Sequence, residues 1–252
     1  MNNLIIYFQS LPPELMMALD YGAAIAILYG LFRAFGREGL LLFIVMAIVL
    51  GNLEVLKATQ LSCMENPIAL GTILFTCTYL ATDVLVEHYG PKAGIRAIGL
   101  GFAAILMVSI LMTLTIGITP IACEPDHAHW LYLKAHQALE TLFTPAPAIL
   151  VASLTSYGIT QYLDVRIFNG LKTRWNQKYL GLRSLISTLT TTFLDNVIFS
   201  VLAWKVLHPL MLSWGELWYT YIWGTYVLRL IISFLNLPII YLFKKKSTHE
   251  LS

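Results

Sequence analysis

Charge is what this sequence has least of. Asp, Glu, Lys and Arg together make up 12% of its 252 residues, where a soluble domain carries about 25%. Hydrophobic residues reach 58% and the mean hydropathy is +0.71. So little charge cannot cover a water-facing surface, and the chain reads as an integral membrane protein whose main partner is the lipid bilayer. The net charge of +2, with no Lys/Arg cluster interleaved with aromatics, argues against nucleic acid as a partner. Cysteine is scarce too. Cys63, Cys77 and Cys123 have no CxxC spacing, so no zinc site is expected. A P-loop (G-x-x-x-x-G-K-[ST]) and an HExxH motif are both missing, which excludes a built-in ATPase and a zincin protease. The first residues, MNNLIIYFQS, lack a positive n-region and a following small-residue cleavage site, so no cleavable signal is expected. Neither a cofactor nor a metal is called for.

What is present is a series of apolar runs long enough to cross a bilayer, which takes about 20 residues. Seven are expected, over roughly 14–34, 39–57, 67–88, 94–118, 145–167, 185–206 and 216–243. Pro12-Pro13 opens the first, Asn66-Pro67 the third; Gly90-Pro91 closes the third and Pro120 the fourth. Basic residues set the orientation. With the N-terminus outside, the inner loops hold Arg33, Arg37, Lys92, Arg96, Arg166, Lys172, Arg174, Lys178, Arg183 and Lys244 to Lys246. The outer segments hold only Lys57, Lys134 and Lys205. The fold expected is therefore all-α, a polytopic helix bundle with the N-terminus out and the C-terminus in. In the long loop between the fourth and fifth spans, Leu131, Ala135, Ala138, Leu139 and Leu142 form an apolar stripe of a short interfacial helix. His127, His129 and His136 in that region read as a hydrated loop rather than metal ligands. Cys63 and Cys123 both fall on the outer side, where a disulfide is chemically open.

Against this background the polar residues inside the spans stand out, because a charge at the bilayer centre costs roughly 2.5–3.5 kcal/mol on insertion scales. They are Asn52 and Glu54 in the second span, Asp83 and Glu87 in the third, Gln161 and Asp164 in the fifth, Asp195 and Asn196 in the sixth, and Arg229 and Asn236 in the seventh, with Asp20 in the first. Asp83 and Glu87, four apart, share a helix face, as do Gln161 and Asp164, three apart. Asp195 and Arg229 lie at matched depth on consecutive spans, so an ion pair is expected. Plainer readings stand beside the functional ones. Glu87 can sit at the interface, Asp164 can pair with Arg166, Asp195 and Arg229 can be purely structural, and Glu54 can lie among headgroups.

Three stretches then resemble a known family. They are Thr82-Asp83 … Glu87-His88-Tyr89-Gly90; Ala152-Ser153 … Tyr157 … Gln161 … Asp164 … Ile167-Phe168; and Ser187-Thr188 … Asp195-Asn196 … Phe199. In this order on successive helices they are similar to the motifs of the queuosine precursor transporter family, vitamin-uptake-transporter-like membrane proteins. Asn52 fits an asparagine near the end of that family's first helix. The likeness runs from about residue 40 to 243. It implies a six-helix core over 39–252, with residues 1–38 as an additional N-terminal helix. Arg229 stands where a lysine is usual, and Ala148 where an arginine is expected.

The resemblance implies import of queuine or a 7-substituted 7-deazaguanine across a bacterial inner membrane, with Asn52, Asp83, Glu87, Gln161, Asp164, Asp195, Asn196 and Arg229 as candidate substrate-binding residues. The chemistry agrees. A deazaguanine presents N1–H and a 2-amino group side by side, which a carboxylate accepts as a pair. Its carbonyl needs a donor such as Asn, Gln or Arg, and its flat ring an aromatic slot. On this reading Asp83 and Glu87 are the acceptors. A different small cationic or vitamin-like substrate, with an external energising partner, is the alternative. A membrane enzyme with Asp83 and Asp195 as a dyad is the third reading, but no protease-like Gly-Asp signature accompanies either residue. A homo-oligomer stays open.

Overall fold

The computed structural model describes residues 2–62, 68–121, 129–143, 147–207 and 213–244. Cys63, Asn66-Pro67, Cys123, His127, Lys245 and Lys246 lie outside these, as does the side chain of Ala148. The chain is all-α apart from one two-stranded ribbon. In order it runs α1 (Asn2–Gln9), α2 (Pro13–Glu54), β1 (Ala58–Thr59), β2 (Ile68–Ala69), α3 (Thr72–Tyr89), α4 (Pro91–Ile116), α5 (Trp130–Phe143), α6 (Pro147–Arg174) and α7 (Leu180–Val201). A π-helical segment (Leu202–Leu207) continues α7. Then come α8 (Trp214–Glu216), a second π segment (Leu217–Trp223), α9 (Gly224–Ile239) and a closing 3-10 turn (Ile240–Phe243). The strands are antiparallel, with Ala58 opposite Ala69.

Among the described residues, four stretches are long and apolar enough to cross a membrane: Pro13–Glu54, Pro91–Ile116, Leu180–Leu207 and Trp214–Phe243. The first, at 42 residues, exceeds one crossing, since about 20 residues suffice. It breaks at Gly36, whose φ of 56° and ψ of −121° are not helical. The chain reverses there. At the far end Glu14 accepts a hydrogen bond of 2.6 Å from the backbone N–H of Ser62, which follows the second half. So α2 is an antiparallel helical hairpin, and its bend falls between the first and second expected spans. The third and fifth expected spans, α3 and α6, are not among the four apolar stretches, because their interiors carry the acids and amides noted above. The helix α5 matches the expected one, and none of its side chains is buried.

The hairpin closes tightly. A Cβ on Gly39 would lie 2.1 Å from the carbonyl oxygen of Leu31. Gly39→Ala must therefore pry backbone from backbone, and overpacking of this kind costs about 1–3 kcal/mol. The expected result is a lower melting temperature in detergent. Gly22→Ala, with nothing within 4 Å of its Cβ position, should melt like the parent. Equal melting of the two variants would mean the halves do not touch at Gly39.

The centre of the bundle is α3. From Thr72 to Val86 every residue but Phe75 is buried, and the helix packs against α2, α4, α6, α7 and α9. Surrounded by protein, it can carry polar side chains that a lipid-facing helix cannot. It stops as its sequence suggests. Gly90 takes φ 81° to cap it, and Pro91 starts α4 at a position where a missing N–H costs nothing. The first half of α2 is tied to this core by Tyr21, which donates to Asn236 Oδ1 at 2.8 Å, and by Phe32 stacked on His88.

Candidate functional site

Residues of α2, the β1–β2 ribbon, α3, α4, α5, α6, α7, the two π segments and α9 line a cavity of about 500 Å³, within the size range of small-molecule sites. Asn52, Gln161, Asp195, Asn196 and Arg229 line it. Asp83, Glu87 and Asp164 are not among the lining residues and belong to a second polar layer, one helical turn away at Asp83 and Asp164 and two at Glu87. The eight candidates thus divide into two groups.

The cavity wall combines aromatic rings with hydrogen-bonding side chains. Phe199, Trp204 and Tyr221 make a run of rings, with Trp204 and Tyr221 centroids 5.6 Å apart and Phe199 6.5 Å from Trp204. Trp204 and Tyr221 both come from π segments. Asp195, one turn before Phe199 on α7, is held by three donors: Arg229 Nη1 at 2.5 Å, Ser156 Oγ at 2.5 Å and Thr160 Oγ1 at 3.4 Å. The contact expected from matched depth is formed. Thr160 also meets the Tyr79 hydroxyl at 3.1 Å. Asn196 Nδ2 donates to Ile222 O and Thr225 Oγ1. Asn52 bridges Ile48 O and Ser153 Oγ, and Gln161 Nε2 donates to Thr78 Oγ1 at 3.1 Å.

Several lining atoms are left over. Gln161 Oε1, Tyr157 OH, Trp204 Nε1 and Arg229 Nε are buried and have no hydrogen-bond partner within the protein. A buried group left unpaired costs roughly 1–3 kcal/mol.

The second layer is ionic. Glu87 accepts from Arg183 Nη1 at 3.1 Å and Nη2 at 3.2 Å, and Lys172 Nζ stands 3.2 Å away. Lys172 also donates to the Glu87 backbone carbonyl at 2.7 Å. Arg183 is fully buried, its guanidinium 5.0 Å from the Phe168 ring centroid. Asp83 accepts from the Ser184 hydroxyl, and Asp164 from Thr191 Oγ1 at 3.1 Å.

The structure adds partners to three simpler readings. Glu87 is bound by two cations, Arg183 and Lys172. Asp164 is fully buried beside Thr191, while Arg166 is exposed next to Tyr162. Arg183 and Lys172, read from sequence as inner-loop charges, are drawn inward by Glu87. A signal for Arg183 was present in the run Arg183, Ser184, Ser187, Thr188, Thr191, Thr192, polar at helical spacing and buried throughout. Trp204, Tyr221 and Thr225 were not singled out, since aromatics in an apolar chain look the same whether they face lipid or a ligand. Glu54 is half-buried and Asp20 exposed; neither lines the cavity.

The model of the family described as "Putative vitamin uptake transporter" matches residues 69–243 of the chain, more than half of its length. A Bacillus subtilis (strain 168) protein named "Probable queuosine precursor transporter" is 28% identical over 215 residues, covering 85% of this chain and 87% of that one. No solved structure matches.

Proposed function

Because the chain belongs to the family described as "Putative vitamin uptake transporter", a family of multi-pass membrane transporters and not of enzymes, we propose that it imports a queuosine precursor, queuine or a 7-substituted 7-deazaguanine, across a bacterial cytoplasmic membrane. The observation that carries this reading is a cavity lined by a run of aromatic rings together with polar side chains, four of which keep an unpaired atom. Asp195 and Gln161 Oε1 accept the N1–H and 2-amino donors. Arg229 Nε and Trp204 Nε1 donate to the base carbonyl. Phe199, Trp204 and Tyr221 hold the flat ring, and Asn52 and Asn196 complete the wall. Asp83, Glu87 and Asp164 stand outside this contact set, as the layer that supports it. The name of the Bacillus subtilis relative supports the substrate class. Another vitamin-like planar molecule would use the same slot, and competition separates the two.

The test is uptake in cells that cannot make their own precursor, read as queuosine in tRNA, with 7-cyano-7-deazaguanine, its 7-aminomethyl form and queuine competing. At least one should restore the modification. Gln161→Leu removes an acceptor and strands a substrate N–H, which costs about 1–3 kcal/mol. Uptake by a normally abundant Gln161→Leu protein should fall about tenfold. Failure of all three precursors to enter would overturn the reading.

The same proposal includes seven crossings, N-terminus out and C-terminus in, with residues 1–38 added to a core over 39–252. The basic asymmetry supports it: Lys172 and Arg183, although drawn inward, remain at the same end as Lys92, Arg96 and Lys244. A tag before Met1 should be reachable from outside and one after Ser252 only from inside. Both on one side would reject this orientation.

A further inference from the structure

We infer that Asp83 and Asp164 hold one shared proton, and that this proton is carried with the substrate, making the protein a proton-coupled importer; the inference rests on the transporter reading above. Both side chains are wholly buried. Each has one oxygen satisfied by a hydroxyl, Ser184 for Asp83 and Thr191 for Asp164. The other oxygens, Asp83 Oδ1 and Asp164 Oδ2, receive no donor from the protein. The two hydroxyls that hold them, seven residues apart, lie on one buried face of α7, so both carboxyls enter the same closed layer between α3, α6 and α7. Two carboxylates sharing one buried layer repel, and a proton on the pair removes that repulsion, as in carboxyl dyads generally.

Charge balance gives the same number. The layer contains Asp83, Asp164 and Glu87 against Arg183 and Lys172. It is neutral with one proton on the aspartate pair, and carries one uncompensated negative charge without it. Among the described residues the ion pairs of both cations are with Glu87. Elsewhere around α3 the charges are engaged or turned away. Arg229 of α9 holds Asp195, Lys92 and Arg96 of α4 are exposed, and on α2 Arg33 and Glu38 are exposed while Arg37 is half-buried near the Gly36 bend.

The pair is also mechanically tied to the cavity. Tyr79 and Asp83 are one turn apart on α3, Gln161 and Asp164 one turn apart on α6. On α7, Thr191 bonds Asp164 while Asp195, one turn on, takes Arg229, Ser156 and Thr160. Any shift of α7 that follows substrate binding at Asp195 moves Thr191 against Asp164, and so changes how well the proton is held.

The experiment uses the full-length protein in proteoliposomes, with tritiated queuine and, separately, 7-cyano-7-deazaguanine, the membrane potential clamped at zero. Counterflow needs no driving force and reports transport alone. Net accumulation under a pH gradient, acidic outside, reports coupling. A gradient of one unit should drive up to about tenfold accumulation for one proton per substrate, because one unit corresponds to a tenfold factor. Asp164→Asn and Asp83→Asn each leave the layer neutral with no mobile proton. Both should keep counterflow within about threefold and lose the pH-driven accumulation. As a check that does not depend on the variants folding, the parent protein should show a protonated-carboxyl infrared band that changes when substrate is added. Counterflow without pH-driven accumulation in the parent, accumulation driven by sodium instead, or an Asp164→Asn variant that still accumulates with the pH gradient would each overturn the proton. Absence of counterflow with either compound would overturn the transporter reading itself.

Discussion

Arg229→Gln will destabilise the protein by about 3 kcal/mol, and the double variant with Asp195→Asn will recover part of the loss. Arg229 Nη1 lies 2.5 Å from Asp195 Oδ2. Removing one member of a buried pair leaves the other charge unmatched, typically at a cost of about 3–5 kcal/mol. The lower end applies because the side chains keep 9% and 16% exposure and Asp195 retains the hydroxyls of Ser156 and Thr160. Thermal melting in detergent micelles, together with abundance in the membrane, measures the effect. Losses that simply add in the double variant would show that the two residues act independently. Transport should fall in both single variants beyond what abundance explains, since both residues line the cavity.

Glu87→Gln should be worse, by about 3–5 kcal/mol, because it strands two cations at once. Arg183 is fully buried, and Lys172 is only 18% exposed. Arg183→Met is the informative contrast. Methionine replaces much of the aliphatic stem that packs near Phe168, and Glu87 keeps Lys172 as its partner. The expected order of melting temperatures is parent, then Arg183→Met, then Glu87→Gln. An inverted order would show that Lys172 does not compensate Glu87. Arg183→Lys is not a mild change here, since one ammonium cannot span both carboxylate oxygens as the guanidinium does.

Some of this was legible before any coordinates. The helical runs follow from apolar length, the stop at Gly90-Pro91 from backbone chemistry, and the Asp195–Arg229 contact from depth along two consecutive helices. The break in α2 falls between two apolar stretches, around a glycine that can take a positive φ. What periodicity could not supply was the identity of neighbours. It puts Asp83 and Glu87 on one face, but not which helix that face meets. Asp164 lies 81 residues further along the chain than Asp83, and no local pattern joins them. Arg183 follows Arg174 and Lys178 in a basic stretch, so local composition places it in solvent; only the tertiary contact with Glu87 pulls it in. Likewise Asp83 and Asp195 look alike in sequence, two acids in apolar helices. Only the packing of α3, α6 and α7 sends one into the cavity wall and the other a turn away.

The two π segments that carry Trp204 and Tyr221 have a consequence for how such a cavity diversifies. A π turn holds an extra residue relative to an α turn. Losing one residue within 202–207 or 217–223 lets the segment relax to α-helical geometry, and the side chains inside the segment rotate about the axis while the helix beyond it keeps its facing. That rotation swings an indole or a phenol off the ligand's ring while every ionic contact in the neighbouring layer keeps its place. Single-residue insertions and deletions, rather than substitutions of the charged residues, are then the shortest evolutionary route to a different substrate shape on the same framework.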